Sequence, residues 1–191
     1  MINRDTAYKI VDDNIPNKNL VKHCLAVEAA MGAIAKHFGE DAELWSRIGL
    51  LHDADWDATR NDMSAHTRKT VEWIKEHGDG SKEDEIIIRT ILSHNHERNG
   101  EPGPENNLEW ALYTCDELTG IITATALVMP DKKLADVTPE SVLKKFNSKS
   151  FAAAVDRNQI KLCHEKLGIS IEEYVAMVLT AMQGIHQSLG L

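Results

Sequence analysis

Several things are scarce in this chain, and each shortage removes a class of protein. There are three cysteines in 191 residues, Cys24, Cys115 and Cys163, widely spaced and set on apolar helix faces. An odd number so placed argues against a disulfide framework or a CxxC site and for buried thiols in a reducing compartment. No apolar run approaches the roughly 20 residues that a membrane-spanning helix needs. Met1-Ile2-Asn3-Arg4-Asp5 carries no signal-peptide core, so a cytoplasmic location is the expectation. Positive charge is short as well: 21 Lys and Arg against 30 Asp and Glu leave a net -9, which opposes a broad surface for nucleic-acid polymers or anionic membranes. A Gly-rich phosphate loop, a GxSxG elbow and an HExxH helix are all missing, which disfavours a P-loop, serine acyl transfer and a zincin-type site.

What is present is helix after helix. Apolar residues recur in steps of three and four through 4–13, 20–38, 41–53, 63–77, 83–95, 107–129, 139–146, 151–167 and 171–189, and the run Ile86-Ile87-Ile88 sits inside one of these patterns rather than in a strand. Thr138-Pro139 and the capping box Ser170-Ile171-Glu172-Glu173 mark two helix starts. The length suits one buried core, so the expectation is a single all-α domain over 1–191.

Histidines and aspartates are spread through these segments. His23 shares a face with Val27, Ala30 and Ile34; His52 continues a row through Trp45, Ile48 and Gly49; His66 precedes Thr70, Trp73 and Ile74; His94 follows Ile87 and Ile91; Asp116 lies beside the ridge Leu112, Cys115, Ile122, Ala126 and Met129. Any one of these alone is an ordinary core histidine, and an aspartate beside such a ridge must be paired, bonded or metal-bound. Together, imidazole and carboxylate are the ligand types that suit Fe, Mn, Co, Zn and Mg, so the set reads as the ligand sphere of one or two divalent metal ions.

In this order the residues resemble the HD-domain superfamily of metal-dependent phosphohydrolases, whose pattern is a His, a His-Asp doublet and a later Asp. Here those are His23, His52-Asp53 within Gly49-Leu50-Leu51-His52-Asp53, and Asp116 within Ala111-Leu112-Tyr113-Thr114-Cys115-Asp116. Two-metal members carry two further histidines between doublet and Asp, matching His66 and His94. The resemblance covers about 18–125 and implies an all-α HD fold with a C-terminal helical extension over about 138–191. Ser93-His94-Asn95-His96-Glu97-Arg98, Asp116-Glu117-Leu118-Thr119-Gly120 and Lys149-Ser150-Phe151-Ala152-Ala153 look like a bacterial and archaeal branch of predicted HD hydrolases, which brings no substrate with it.

The resemblance implies a phosphohydrolase acting on a small phosphorylated molecule, a phosphomonoester or a nucleotide, through a metal-bound hydroxide. Asp53 would bridge two ions, with His23, His52 and Asp116 completing one site and His66 with His94 the other. Where many members place Gly and then Lys, or Glu, after the doublet, this chain has Ala54-Asp55-Trp56-Asp57. Asp57, and after it Asp55, are therefore candidates for acid/base work beside Asp53, or else for capping the next helix or holding a ligating imidazole. Ile88, Leu92 and His96 form their own row, so His96 competes with His94, which the resemblance favours. Phosphate would want cations, and Arg98, Lys144, Lys145 and Lys149 are the candidates, with Arg68 and Lys69 further possibilities. The break at Asn99-Gly100-Glu101-Pro102-Gly103-Pro104 is a rim, a lid or a plain connector. Two other classes fit the same ligands: an HD-type di-iron oxygenase, and a noncatalytic metal- or ligand-binding regulatory module. No feature specifies an oligomeric state.

Overall fold

Helices carry the whole chain, as the missing strand signals imply. The computed structural model describes residues 1–191. Its elements are α1 (Arg4–Asn14), α2 (Lys18–Phe38), α3 (Ala42–Leu51), α4 (Trp56–Thr59), α5 (Arg68–His77), α6 (Lys82–His94), α7 (His96–Asn99), α8 (Asn107–Leu127), a single 3-10 turn (Leu134–Asp136), α9 (Pro139–Phe146), α10 (Arg157–Leu167), α11 (Ile171–Gly184) and α12 (His186–Leu189). Side-chain caps start most of the long ones: Asn17 for α2, Asp41 for α3, Ser81 for α6, Asn106 for α8 and Asp156 for α10. Thr138 and Ser141 form a reciprocal capping box at α9, whereas Ser170 supplies the forward bond to the Glu173 N–H.

Helices α2 and α8 are the frame: α2 packs along α3, α8 and α11, and α8 lies against α10. One cluster of 42 buried apolar residues contains both Ile2 and Leu189, so the C-terminal helices share the core that holds the histidines rather than forming one of their own. All three cysteines are buried and unpaired.

The tightest joint in this frame lies under the His-Asp doublet. A Cβ on Gly49 would come within 2.7 Å of the Val27 carbonyl oxygen, so only glycine lets α3 rest on the backbone of α2 there. That approach leaves His52, three residues on, beside His23, with ring centroids 5.2 Å apart.

Several expected helices are shorter than their sequence patterns. The 41–53 helix ends at Leu51, and His52 and Asp53 stand in the turn that follows it. The 63–77 helix begins only at Arg68, because Thr67 adopts a left-handed backbone (φ 76°). The 151–167 helix begins at Arg157, whose guanidinium gathers the carbonyls of Phe146, Ser148, Phe151, Ala152 and Val155 and ties residues 146–155 into turns. Likewise 171–189 divides after Gly184.

Candidate metal centre

His23 comes from the second turn of α2, His52 and Asp53 from the turn after α3, His66 from the turn before α5, His94 from the last residue of α6 and Asp116 from the middle of α8. The fold brings all six together. Asp53 sits between two pairs of imidazoles: its Oδ2 lies 3.8 Å from His23 Nε2 and 3.6 Å from His52 Nε2, and its Oδ1 lies 3.2 Å from His66 Nε2 and 3.8 Å from His94 Nε2. Asp116 closes the ring, with Oδ1 2.9 Å from His23 Nε2 and 3.5 Å from His52 Nε2, and Oδ2 3.6 Å from His94 Nε2. Ligand atoms of His23, His52 and Asp116, and again of His52, Asp53 and His94, lie within 4.8 Å of one another.

The far side of each ring decides what its Nε2 can do. His52 Nδ1 lies 2.8 Å from the Gly49 carbonyl oxygen, which can only accept, so Nδ1 carries the proton. His66 Nδ1 lies 2.7 Å from Asp55 Oδ1 and donates to that carboxylate. His23 Nδ1 lies 3.3 Å from Thr119 Oγ1, whose own hydrogen is spent on the Asp116 carbonyl, so here too the ring donates. Three imidazoles thus turn Nε2 toward the two carboxylates, the tautomer and orientation that metal-binding histidines require.

The inward side is unsatisfied. His52 Nε2, His66 Nε2 and Asp53 Oδ1 are buried and make no hydrogen bond, and the 3.2 Å approach of His66 to Asp53 lacks the alignment of one. Orphaned buried acceptors and donors of this kind are costly, and a cation among them relieves all of them at once. The donor set therefore fits a divalent ion.

Without an ion, protons fill that place. Burial disfavours a charged imidazole at His52, but the charge of Asp53 and the nearness of Asp116 outweigh it and raise the pKa to about 9. At His66, burial is likewise outweighed by Asp53 and Asp55, and the pKa is again raised to about 9. The same contest at the carboxylates ends the other way: burial is overcome by His52 and His66 at Asp53, and by His23, His52 and His94 at Asp116, and both stay well below the usual carboxylate range.

Asp55 is wholly buried and works through other groups. Besides His66 it accepts the N–H groups of Thr67 (3.2 Å), Lys69 (3.1 Å) and Thr70 (3.1 Å), so a residue twelve to fifteen positions away caps α5 in place of Thr67. Asn95 completes the clasp, its amide donating to the carbonyls of Met63 and His66.

Four expected site residues lie elsewhere. Asp57 accepts the Asn17 N–H (3.2 Å) at the start of α2 and does not line the cavity over the cluster. Lys144 and Lys149 are exposed, and Lys145 lies over the Phe151 ring, 4.8 Å from its centroid; none of the three lines that cavity. His96 is turned to the Ser93 carbonyl and the Tyr113 ring, which leaves His94 as the member of the pair at the cluster. The 99–104 segment is a connector, pinned by Arg89 through the Pro102 and Gly103 carbonyls and by Arg68 through Glu101 and the Asn99 carbonyl.

The cavity itself holds about 530 Å³ and is lined by His23, Asp53, His66, His94 and Asp116 on its floor. Its walls include Trp56, Glu97, Arg98, Tyr113, Glu117, Asp156 and Gln159. Of these only Arg98 was expected. Tyr113, Glu117 and Gly120 share one face of α8 with Asp116, a spacing visible in the sequence, whereas Gln159 and Asp156 arrive by the packing of α10. Burial, and then the charge of Asp116, pushes Glu117 up to about 7.

Residues 20–137 match the HD domain family, and the chain belongs to that family. Curated relatives named Ribonuclease Y are similar over a shorter stretch: the Bacillus subtilis protein is 34% identical over 77 residues, 40% of this chain and 14% of its own length. Those of Staphylococcus epidermidis and Streptococcus sanguinis are 35% and 31% identical over segments of the same extent. The chain thus spans only about 14% of the length of the curated relatives it matches. No solved structure matches. No helix is long and apolar enough to cross a membrane.

Proposed function

We propose that this chain is a metal-dependent phosphohydrolase that acts on a small phosphorylated molecule, a phosphomonoester or a nucleotide. The observation that carries the proposal is the placement of Asp53, with one carboxylate oxygen toward His23 and His52 and the other toward His66 and His94. His23, His52, Asp53 and Asp116 would hold one ion, and His66 and His94, with Asp53 shared, a second. Bound Mn, Fe, Co, Zn or Mg would supply an activated water and a positive clamp on the phosphoryl oxygens.

The chain's own residues prepare that site. Gly49, Asp55 and Thr119 fix the three Nδ1 atoms and so keep each Nε2 on the cluster. Arg98, the one Lys or Arg lining the cavity, is free of any ion pair with an acid and is placed to take a phosphoryl oxygen. A volume of about 530 Å³ suits a small substrate. An RNA substrate, as the relatives' name suggests for them, would need a basic track along its backbone; here one arginine stands among carboxylates in a chain of net charge -9.

The test is a metal analysis of protein purified without chelator, followed by a screen of phosphomonoesters, nucleotides and single-stranded RNA with each metal. Metal-dependent phosphate release from small esters, lost in Asp53→Asn, is the expected result. Cleavage of RNA alone, or oxygen consumption by iron-loaded protein with no ester turned over, sinks the proposal.

A further inference from the structure

The wall of the cavity has a chemistry that phosphoester hydrolysis by itself does not call for. Glu97, Glu117 and Asp156 stand on it with the rings of Trp56 and Tyr113, against the single cation of Arg98. These acids are not consumed by basic partners: the arginine bridges nearby engage Glu101, Glu105 and Glu109 instead. Glu97 receives one hydrogen bond from the Tyr113 hydroxyl (3.2 Å) and Glu117 one from the Asp156 N–H (3.2 Å), which leaves most of their acceptor capacity open. The wall faces a floor on which Asp53 Oδ1 and His66 Nε2 are unpartnered, in side chains nine-tenths or more buried, so the same cavity has a place where a ligand is held at its other end.

A phosphoryl group needs the floor and Arg98; a second anionic group would meet three carboxylates. An ammonium meets the opposite, since carboxylates pair with it and aromatic faces attract it. We infer that the substrate's non-phosphoryl part carries a protonated amine, held among Glu97, Glu117 and the rings of Trp56 and Tyr113, making the substrate the phosphomonoester of an amino alcohol. This rests on the phosphohydrolase reading. In the reaction a water oxygen bonds to phosphorus, the ester P–O bond breaks, and the alcohol oxygen leaves with a proton, giving inorganic phosphate and the amino alcohol without any redox partner.

The decisive comparison uses two esters that differ in one charge, 2-aminoethyl phosphate and 2-hydroxyethyl phosphate, with the full chain loaded with Mn. The aminoethyl ester should show a kcat/KM about fivefold higher, expressed mainly in KM, the size expected of one partly screened charge pair. Glu97→Gln and Glu117→Gln should each shrink that ratio. In a thermal shift on metal-free protein, where no turnover intrudes, the aminoethyl ester should raise Tm more than its neutral partner. Equal kcat/KM values, or a preference for the hydroxyethyl ester or a nucleotide, overturn the amine inference while leaving the hydrolase reading standing. If no ester is turned over at all, the hydrolase reading fails, and equal thermal shifts by the two esters then overturn the amine inference as well.

Discussion

The two sides of Asp53 are built by different means. On one side, His23 and Asp116 stand on α2 and α8, the two longest helices, and His52 is pressed against them by the Gly49 joint; apolar packing sets their places, and the Gly49 carbonyl and Thr119 orient the two rings. On the other side His66 hangs on a turn with a left-handed residue beside it, and what holds it is a polar clasp made by Asp55 and Asn95. The first half stands on the same packing as the core, so losing one ring-orienting hydrogen bond should leave its residues in place. The second half depends on a few buried hydrogen bonds, and one deletion can release it.

The sharpest test of that asymmetry is Asp53, which belongs to both halves. Asp53→Ala should take metal from both positions and abolish turnover, whereas His66→Ala should leave about half the bound metal and His23→Ala should remove the complementary half; metal content by emission spectrometry reads all three. Unchanged stoichiometry in Asp53→Ala would remove the bridge from the account.

Asp55 comes next, because it touches one half only. Asp55→Ala strands His66 Nδ1 and the N–H groups of Thr67, Lys69 and Thr70, and leaving several buried donors unpaired should cost about 3 kcal/mol in chemical unfolding. Asp55→Asn keeps an acceptor but loses the charge, so it should cost less while still weakening metal at the His66 position. Equal loss of both metal positions in either variant would mean that the halves are not separately supported.

How much of this was legible in the chain follows the same division. His23, His94 and Asp116 were readable because a residue on a regular helix inherits its direction from its neighbours, and the apolar stripes of α2, α6 and α8 gave that direction. The His-Asp doublet was readable as a motif, although the helix under it ends two residues early. The position of His66 on a turn was not legible: its pattern with Thr70 and Trp73 is helical, and the carboxylate that starts α5 at Arg68 lies in a different turn, where no local capping rule looks for it. Charge misled for a similar reason. Lys144, Lys145 and Lys149 look like a phosphate cluster in one dimension, but the cavity takes Asp156 and Gln159 from the chain beyond α9 and none of the three lysines, and only the three-dimensional path shows it.

Acidity should separate the metal-free from the metal-loaded protein. His52 and His66 have folded pKa values raised from 6.5 to about 9, so in the metal-free protein their stabilising share is full below about 6.5 and is lost as pH rises through 9. Asp53 and Asp116 are lowered, so their share is present above the ordinary carboxylate range and is lost only as pH falls below it. Metal-free protein should therefore lose Tm between pH 6.5 and 9. With an ion in place of those protons the decline should flatten, and metal uptake should release protons. Parallel Tm curves for the two forms across this window would break the link between the protonated imidazoles and the metal site.

The smallest effect is expected at Asp57, and it bears on the comparison because this residue follows Asp55 by two positions without belonging to the clasp. Its carboxylate meets the Asn17 N–H at the surface, where one hydrogen bond competes with water, and the cavity is lined without it. Asp57→Asn retains an acceptor for that N–H, so stability should change by less than about 0.5 kcal/mol. Since reach as well as charge decides whether a carboxyl can move a proton, kcat should stay within about twofold and metal content should not change. Asp55→Asn, two residues earlier and wholly buried, should by contrast lose metal at one position. A large fall in kcat for Asp57→Asn with metal still bound would show that the turn from Asp53 to Thr59 closes over the substrate during turnover, and the soft half of the site would then be soft for a catalytic reason.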